Sequence, residues 1–169
     1  MNSILPKIIG SAINFTGCFN KKLASKWALN LFSKPLKGRY KTPHSTIESA
    51  KKIVLKYQGL DIAVYQWVGS NQTVLLAHGW QSNSGRWKNI INRLKENNYN
   101  IISIDAPAHG SSGSKIFNAV LYSKFIEQAA NKYKPSILIG HSVGGMAISY
   151  FLKNTQYDLA DKIIFLGSP

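Results

Sequence analysis

Apolar residues follow two different rhythms along the chain, helical before residue 34 and alternating or continuous after residue 50. In the first stretch Ile4, Leu5, Ile8, Ile9, Ala12 and Ile13, then Phe19, Leu23, Trp27 and Leu31, recur at helical spacing with Lys21, Lys22 and Lys26 between them. The spacing predicts one amphipathic helix, or a helix pair broken near Gly17. The tract Lys34-Pro35-Leu36-Lys37-Gly38-Arg39 then reads as turn-rich, and His44 lies in the linker that continues to residue 49. From residue 50, Ile53, Leu55 and Tyr57 alternate with polar or outward positions, and after Gly59 a second alternating run covers 61–68, predicting a hairpin. Four short apolar runs follow, at 74–77, 99–104, 136–139 and 162–166, each of the kind expected for a strand buried on both faces. Helical stretches at 86–97, 116–132 and 143–153 lie between them. Strand alternating with helix predicts an α/β domain over 50–169, with a mostly parallel sheet and helices on both faces, preceded by a basic helical extension and linker over 1–49.

Composition narrows the classes. At 169 residues and 44 % hydrophobic, with four tryptophans, the chain can bury a core and is not disordered throughout. A single cysteine, Cys18, excludes an internal disulfide, and no Cys/His spacing suits a metal, so no metal is expected. No apolar stretch reaches the roughly 18 residues of a spanning helix.

Charge changes the picture at one end only. The formal charge is +14, yet residues 1–60 hold eleven basic residues against one acid, Glu48. A basic amphipathic helix over residues 1–32 suits peripheral attachment of an otherwise cytoplasmic protein to an anionic membrane. The alternative is a helix packed on the domain with its lysines in solvent. No recognition motif accompanies the charge, so nucleic acid is not an expected partner.

In open parallel sheets, ligands bind beyond the carboxyl ends of the strands, so chemistry is sought there. Three strand ends are informative: His78-Gly79-Trp80, Asp105-Ala106-Pro107-Ala108-His109-Gly110-Ser111, and Gly140-His141-Ser142-Val143-Gly144-Gly145. The last is G-x-S-x-G between a buried strand and a helix. A serine on so tight a turn has strained backbone angles, and side chains at positions 140 and 144 would strike neighbouring backbone. The helix that follows aims its N-terminal amides and positive dipole end at the same place. By contrast 110–115 lacks the ending of a phosphate-binding loop, and no G-x-G-x-x-G follows a strand.

With these three motifs in this order, residues 50–169 resemble the α/β-hydrolase family. The resemblance implies an α/β-hydrolase fold and a serine hydrolase of the esterase, lipase or thioesterase kind, acting on a small-molecule acyl substrate. Peptidase and acyltransferase activities share the apparatus. It implies Ser142 as nucleophile, and the backbone N–H groups of Trp80 and Val143 as oxyanion-hole donors. His78 and Gly79 then shape the loop carrying Trp80, while Gly140, Gly144 and Gly145 support the elbow. Asp105 and His109 order the turn after their strand, and His141, beside the nucleophile, points elsewhere. No cofactor is implied, because acyl transfer by serine needs neither metal nor nucleotide.

The family's nucleophile requires a histidine base and an acid, which come after the serine in the chain. Only Asp158 and Asp161 follow Ser142, both ahead of the final strand, and no histidine follows it. The expectation is therefore a domain incomplete at its C-terminus, with 162–166 left as an apolar edge strand. A catalytically inert binding or membrane-associated remnant is the alternative reading.

Overall fold

The structure, a computed structural model, describes residues 4–40 and 45–168, so His44 lies outside the described residues. It divides into two compact units, residues 1–34 and 35–169.

The first unit is a helical hairpin of α1 (Ile4–Phe19) and α2 (Lys21–Phe32). Gly17 stays inside α1. The break falls at Asn20, which leaves the helical region and whose side chain accepts the Leu23 N–H at 2.9 Å. The cap explains the shift from Gly17: an asparagine oxygen satisfies an orphan amide that a glycine cannot. Gly17 instead lets the helices approach, since a Cβ there would lie 3.7 Å from that of Ala24, the buried residue of α2.

The second unit holds a six-stranded sheet in the order β1-β2-β4-β3-β5-β6. The antiparallel hairpin of β1 (Lys51–Tyr57) and β2 (Leu60–Trp67) turns through Gln58 and Gly59, both at positive φ. β2 pairs antiparallel with β4 (Tyr99–Ile104). β3 (Asn71–Ala77) runs parallel between β4 and β5 (Ile137–His141), and β6 (Lys162–Leu166) is the parallel edge strand. The isoleucines and phenylalanine of β6 are exposed.

Period-two alternation divides the core between the two faces. Ile62, Val64, Leu75, Ile102, Ile104 and Leu138 meet Phe125, Ile126, Ile148 and Phe151 from α5 (Ala119–Tyr133) and α6 (Val143–Asn154). Tyr65, Val74, Leu76, Ile101 and Ile139 meet Trp87 and Ile91 on the other face. Ile91 belongs to α4 (Lys88–Glu96), and Trp87 ends a 3-10 turn, Ser84–Trp87, where a helix from residue 86 was expected. Asn83 accepts the Gly85 N–H and tightens that first turn. Each fully buried aliphatic side chain contributes about 1.5–3 kcal/mol.

The described parts of the tract expected as linker are structured. The Arg39 guanidinium donates to the carbonyls of Ser112 and Ser114, and residues 45–48 form a short helix, α3 (Ser45–Glu48). The compact unit thus begins at Pro35, ahead of the boundary at residue 50 that the change of hydrophobic rhythm suggested. β3 is flanked by strands reached in opposite directions, β4 on one side and β5 on the other, the switch point at whose carboxyl ends open sheets bind ligands.

Candidate active site

Ser142 stands at the carboxyl end of β5, between β5 and α6, at φ 50° and ψ −127°. Few non-glycine residues occupy such a region, and holding one there costs about 1–3 kcal/mol. The turn is clamped from both sides. The Ser142 N–H donates to Leu166 O at 3.0 Å, and its carbonyl accepts the Gly145 N–H at 2.8 Å. Close packing requires the glycines: a Cβ on Gly140 would lie 2.5 Å from Gly145 Cα, and one on Gly144 would strike the Ala77 carbonyl. The Ser142 side chain is half-buried, and its hydroxyl bonds to no other described residue.

The loop leaving β3 lies directly against the elbow, because a Cβ on Gly79 would stand 3.2 Å from Ser142 Cβ. Two histidines hold this loop. His78 Nε2 accepts the Ala106 N–H at 2.9 Å, so its Nδ1 carries the proton and donates to Gly79 O at 2.8 Å. His109 Nε2 accepts the Gln81 N–H at 3.0 Å, and its Nδ1–H donates to Pro107 O at 2.8 Å. The groups on either side of Trp80 are thereby fixed, while the N–H groups of Trp80 and Val143 donate to no described residue. The Trp80 ring packs on His109 and Phe117, with centroids 5.4 and 5.1 Å away.

Both loop histidines are neutral by this geometry, and burial lowers the pKa of each. For the fully buried His78 it falls to about 4, only partly opposed by the negative charge of Asp105 3.9 Å away. The unfolded chain therefore binds a proton between pH 6.5 and 4 that the folded one refuses, so stability falls as pH drops through that window. We expect His78 to account for a loss of about 3 kcal/mol between pH 7 and 4. Urea midpoints across this range should show the slope, and His78→Gln should flatten it.

Asp105 is fully buried at the end of β4 and accepts four donors: Tyr65 Oη at 3.0 Å, Tyr40 Oη at 3.3 Å, and the N–H groups of Ser84 and Ser111, each at 2.9 Å. Burial, and then the charge of Asp105, push both tyrosine pKa values up, keeping the hydroxyls as donors. Tyr40, Tyr65 and Arg39 were not among the residues singled out from sequence. The available signal was Arg39, the one arginine in a segment otherwise basic through lysine.

His141, the last residue of β5, accepts from Arg86 Nη1 through Nδ1 at 2.9 Å. Burial, then the Arg86 charge, lower its pKa. Each described histidine is thus held by bonds that do not involve Ser142. Asp161 accepts from Gln72 at the opposite end of the sheet. Among the described residues no cluster of His, Cys, Asp or Glu could hold a metal ion.

A mostly parallel sheet with a strained serine between strand and helix defines an α/β hydrolase. The chain belongs to the serine aminopeptidase S33 family, whose model it matches over residues 69–169. It is 33 % identical over 81 residues to a monoacylglycerol lipase of Mycolicibacterium smegmatis, covering 43 % of this chain and 29 % of that one. With a pimeloyl-(acyl-carrier protein) methyl ester esterase of Pseudoalteromonas atlantica it shares 28 % identity over 103 residues, 60 % of this chain and 40 % of that one. The chain thus spans well under half the length of these curated relatives. Among solved structures, the thioesterase domain from the curacin biosynthetic pathway matches at TM-score 0.65 and 19 % identity, covering 72 % of this chain and 47 % of the other. An esterase from Exiguobacterium antarcticum matches at TM-score 0.59 and 28 % identity, covering 65 % and 42 %.

Proposed function

We propose that Ser142 is the nucleophile of a serine esterase that cleaves small carboxylic esters through an acyl-enzyme. The observation that carries this reading is the serine at φ 50°, together with the N–H groups of Trp80 and Val143, which donate to no described residue. Backbone strain of this kind persists at sites where it serves a mechanism. Ser142 Oγ would attack the ester carbonyl carbon, giving its proton to a base, while the carbonyl oxygen becomes an oxyanion accepted by the two N–H groups. Collapse expels the alcohol, which takes up a proton from the base, and water then releases the acid by the same steps. Esters are favoured over amides because the similar proteins are named as a lipase and methyl ester esterases.

The protein purified from its source should react with a fluorophosphonate probe, and Ser142→Ala should lose that labelling. Labelling that survives the substitution would refute the proposal.

One observation favours a second reading, in which the 169-residue chain alone is catalytically inert. His78, His109 and His141 bond to Gly79, Gln81 and Arg86, and none of them bonds to the Ser142 hydroxyl as a base would. Nitrophenyl acetate turnover by the isolated chain separates the two: the inert reading fails if turnover is measurable and Ser142→Ala abolishes it.

A further inference from the structure

The hairpin of α1 and α2 presents an apolar face that the chemistry of the second unit does not use. Ile4, Ile8, Phe15 and Phe19 recur at spacings of four, seven and four, which places them along one side of α1. They are 62 %, 59 %, 68 % and 80 % exposed. The Phe15 and Phe19 rings contact edge to face at 5.2 Å, making a continuous aromatic surface. From α2, Leu23, Trp27 and Leu31 follow at spacings of four, and all three are exposed as well. Ile8, Ala12 and Ile13 of α1 line one groove with Trp27, Leu31 and Lys34, so the two apolar sides belong to the same face of the hairpin.

The charge around this face has a single sign. Residues 1–34 contain Lys7, Lys21, Lys22, Lys26 and Lys34 and no acidic residue. Lys7 falls on the turn beside Ile8, Lys22 and Lys26 beside Leu23 and Trp27, and all are exposed. Like charges so arranged repel a second copy of the same hairpin but attract a surface that is itself anionic. Aromatic and aliphatic side chains on one side with lysines at its margin are what lies in the plane of a lipid interface, apolar groups in the acyl boundary and ammonium groups among the headgroups. Among the described residues no helix is long and apolar enough to cross a bilayer, which leaves the in-plane arrangement.

We propose that residues 4–34 form an interfacial anchor for a membrane surface rich in anionic lipid, seated through Ile8, Phe15, Phe19 and Trp27 and held by Lys7, Lys22 and Lys26. The anchor delivers the second unit to a bilayer independently of whether Ser142 is a nucleophile.

The test is co-sedimentation of the whole 169-residue chain with vesicles of phosphatidylcholine alone or of equimolar phosphatidylcholine and phosphatidylglycerol. Binding is expected to the mixed vesicles at low salt, to weaken at about 0.5 M salt, and to be small on phosphatidylcholine. Each lysine near an anionic surface is worth about fivefold in affinity, so Lys22→Glu with Lys26→Glu should weaken binding more than tenfold. Phe15→Ser with Phe19→Ser should weaken it about tenfold or more. Lys132→Glu with Lys134→Glu, in the second unit, should leave it close to wild type. All substituted residues are exposed, and helix content by circular dichroism checks that the hairpin remains folded. Failure to sediment with the mixed vesicles at low salt would overturn the proposal. So would equal loss from the Lys132/Lys134 variant, or a lipid-free dimer that Phe15→Ser and Phe19→Ser dissolve, since the face would then be covered by a second copy.

Discussion

Replacing Asp105 by alanine is expected to lower folding stability by about 3–5 kcal/mol, a large share of the 5–15 kcal/mol typical of a domain. The side chain is fully buried and accepts from Tyr40, Tyr65, Ser84 and Ser111, groups drawn from four separate parts of the second unit. Alanine leaves these donors facing a void. Each buried donor without an acceptor costs about 1–3 kcal/mol; Tyr65 and Ser84 bear that cost in full, while the half-buried Tyr40 and the exposed Ser111 recover most of theirs from water, which gives the stated range. Asp105→Asn should fall between wild type and alanine, because one amide oxygen remains while the NH2 group opposes the donors on the other side. Tyr65→Phe removes a single bond and should cost about 1 kcal/mol, since the oxygen it leaves still accepts from Ser111. Urea midpoints for the three variants give the order directly. An alanine variant as stable as wild type would mean that water replaces the carboxyl oxygens, and the role of Asp105 in ordering the site would be lost.

Much of this arrangement was legible in the sequence, for local reasons. The elbow announces itself because its geometry is steric: Gly140 and Gly144 must lack Cβ atoms where Gly145 and Ala77 approach, and that leaves a mark in the chain. The hairpin of β1 and β2 was likewise marked by Gly59, and the buried strands by their unbroken apolar runs. What was not legible depends on partners far apart in sequence. Nothing in the alternation of residues 61–68 says that Tyr65, rather than any other inward residue, ends at the carboxyl of Asp105. The tract 34–39 has the composition of a linker, yet Arg39 reaches the Ser112 and Ser114 carbonyls, contacts more than seventy residues away. Turn-forming residues report that the backbone is irregular, and they do not report whether it is packed. The helix break lies at Asn20 rather than near Gly17 for a related reason: the side-chain cap decides where α2 begins. The roles of His78 and His109 were anticipated as structural, but which atoms they hold, Gly79 O and the Gln81 N–H, required coordinates.

Ser142→Ala and Ser142→Gly are expected to agree in activity and to differ in stability. Both remove the Ser142 hydroxyl proposed as nucleophile, so ester turnover by the protein from its source should fall by about 10⁴–10⁶-fold in either case. The backbone separates them. Alanine keeps a Cβ at φ 50° and ψ −127°, so the strain of about 1–3 kcal/mol remains and the urea midpoint should match wild type. Glycine relieves that strain, while its freer unfolded chain takes back a part of the gain, roughly 0.5–1 kcal/mol. The net expectation is a glycine variant about 1 kcal/mol more stable than the alanine one. The comparison isolates strain from chemistry, because the hydroxyl makes no hydrogen bond to a described residue whose loss would confuse the reading. A glycine variant less stable than alanine would show that the neighbouring clamps, Leu166 O on the Ser142 N–H and the Gly145 N–H on its carbonyl, hold the turn without strain. In that case the backbone argument for a nucleophile at this position would fall, and only loss of probe labelling would support it.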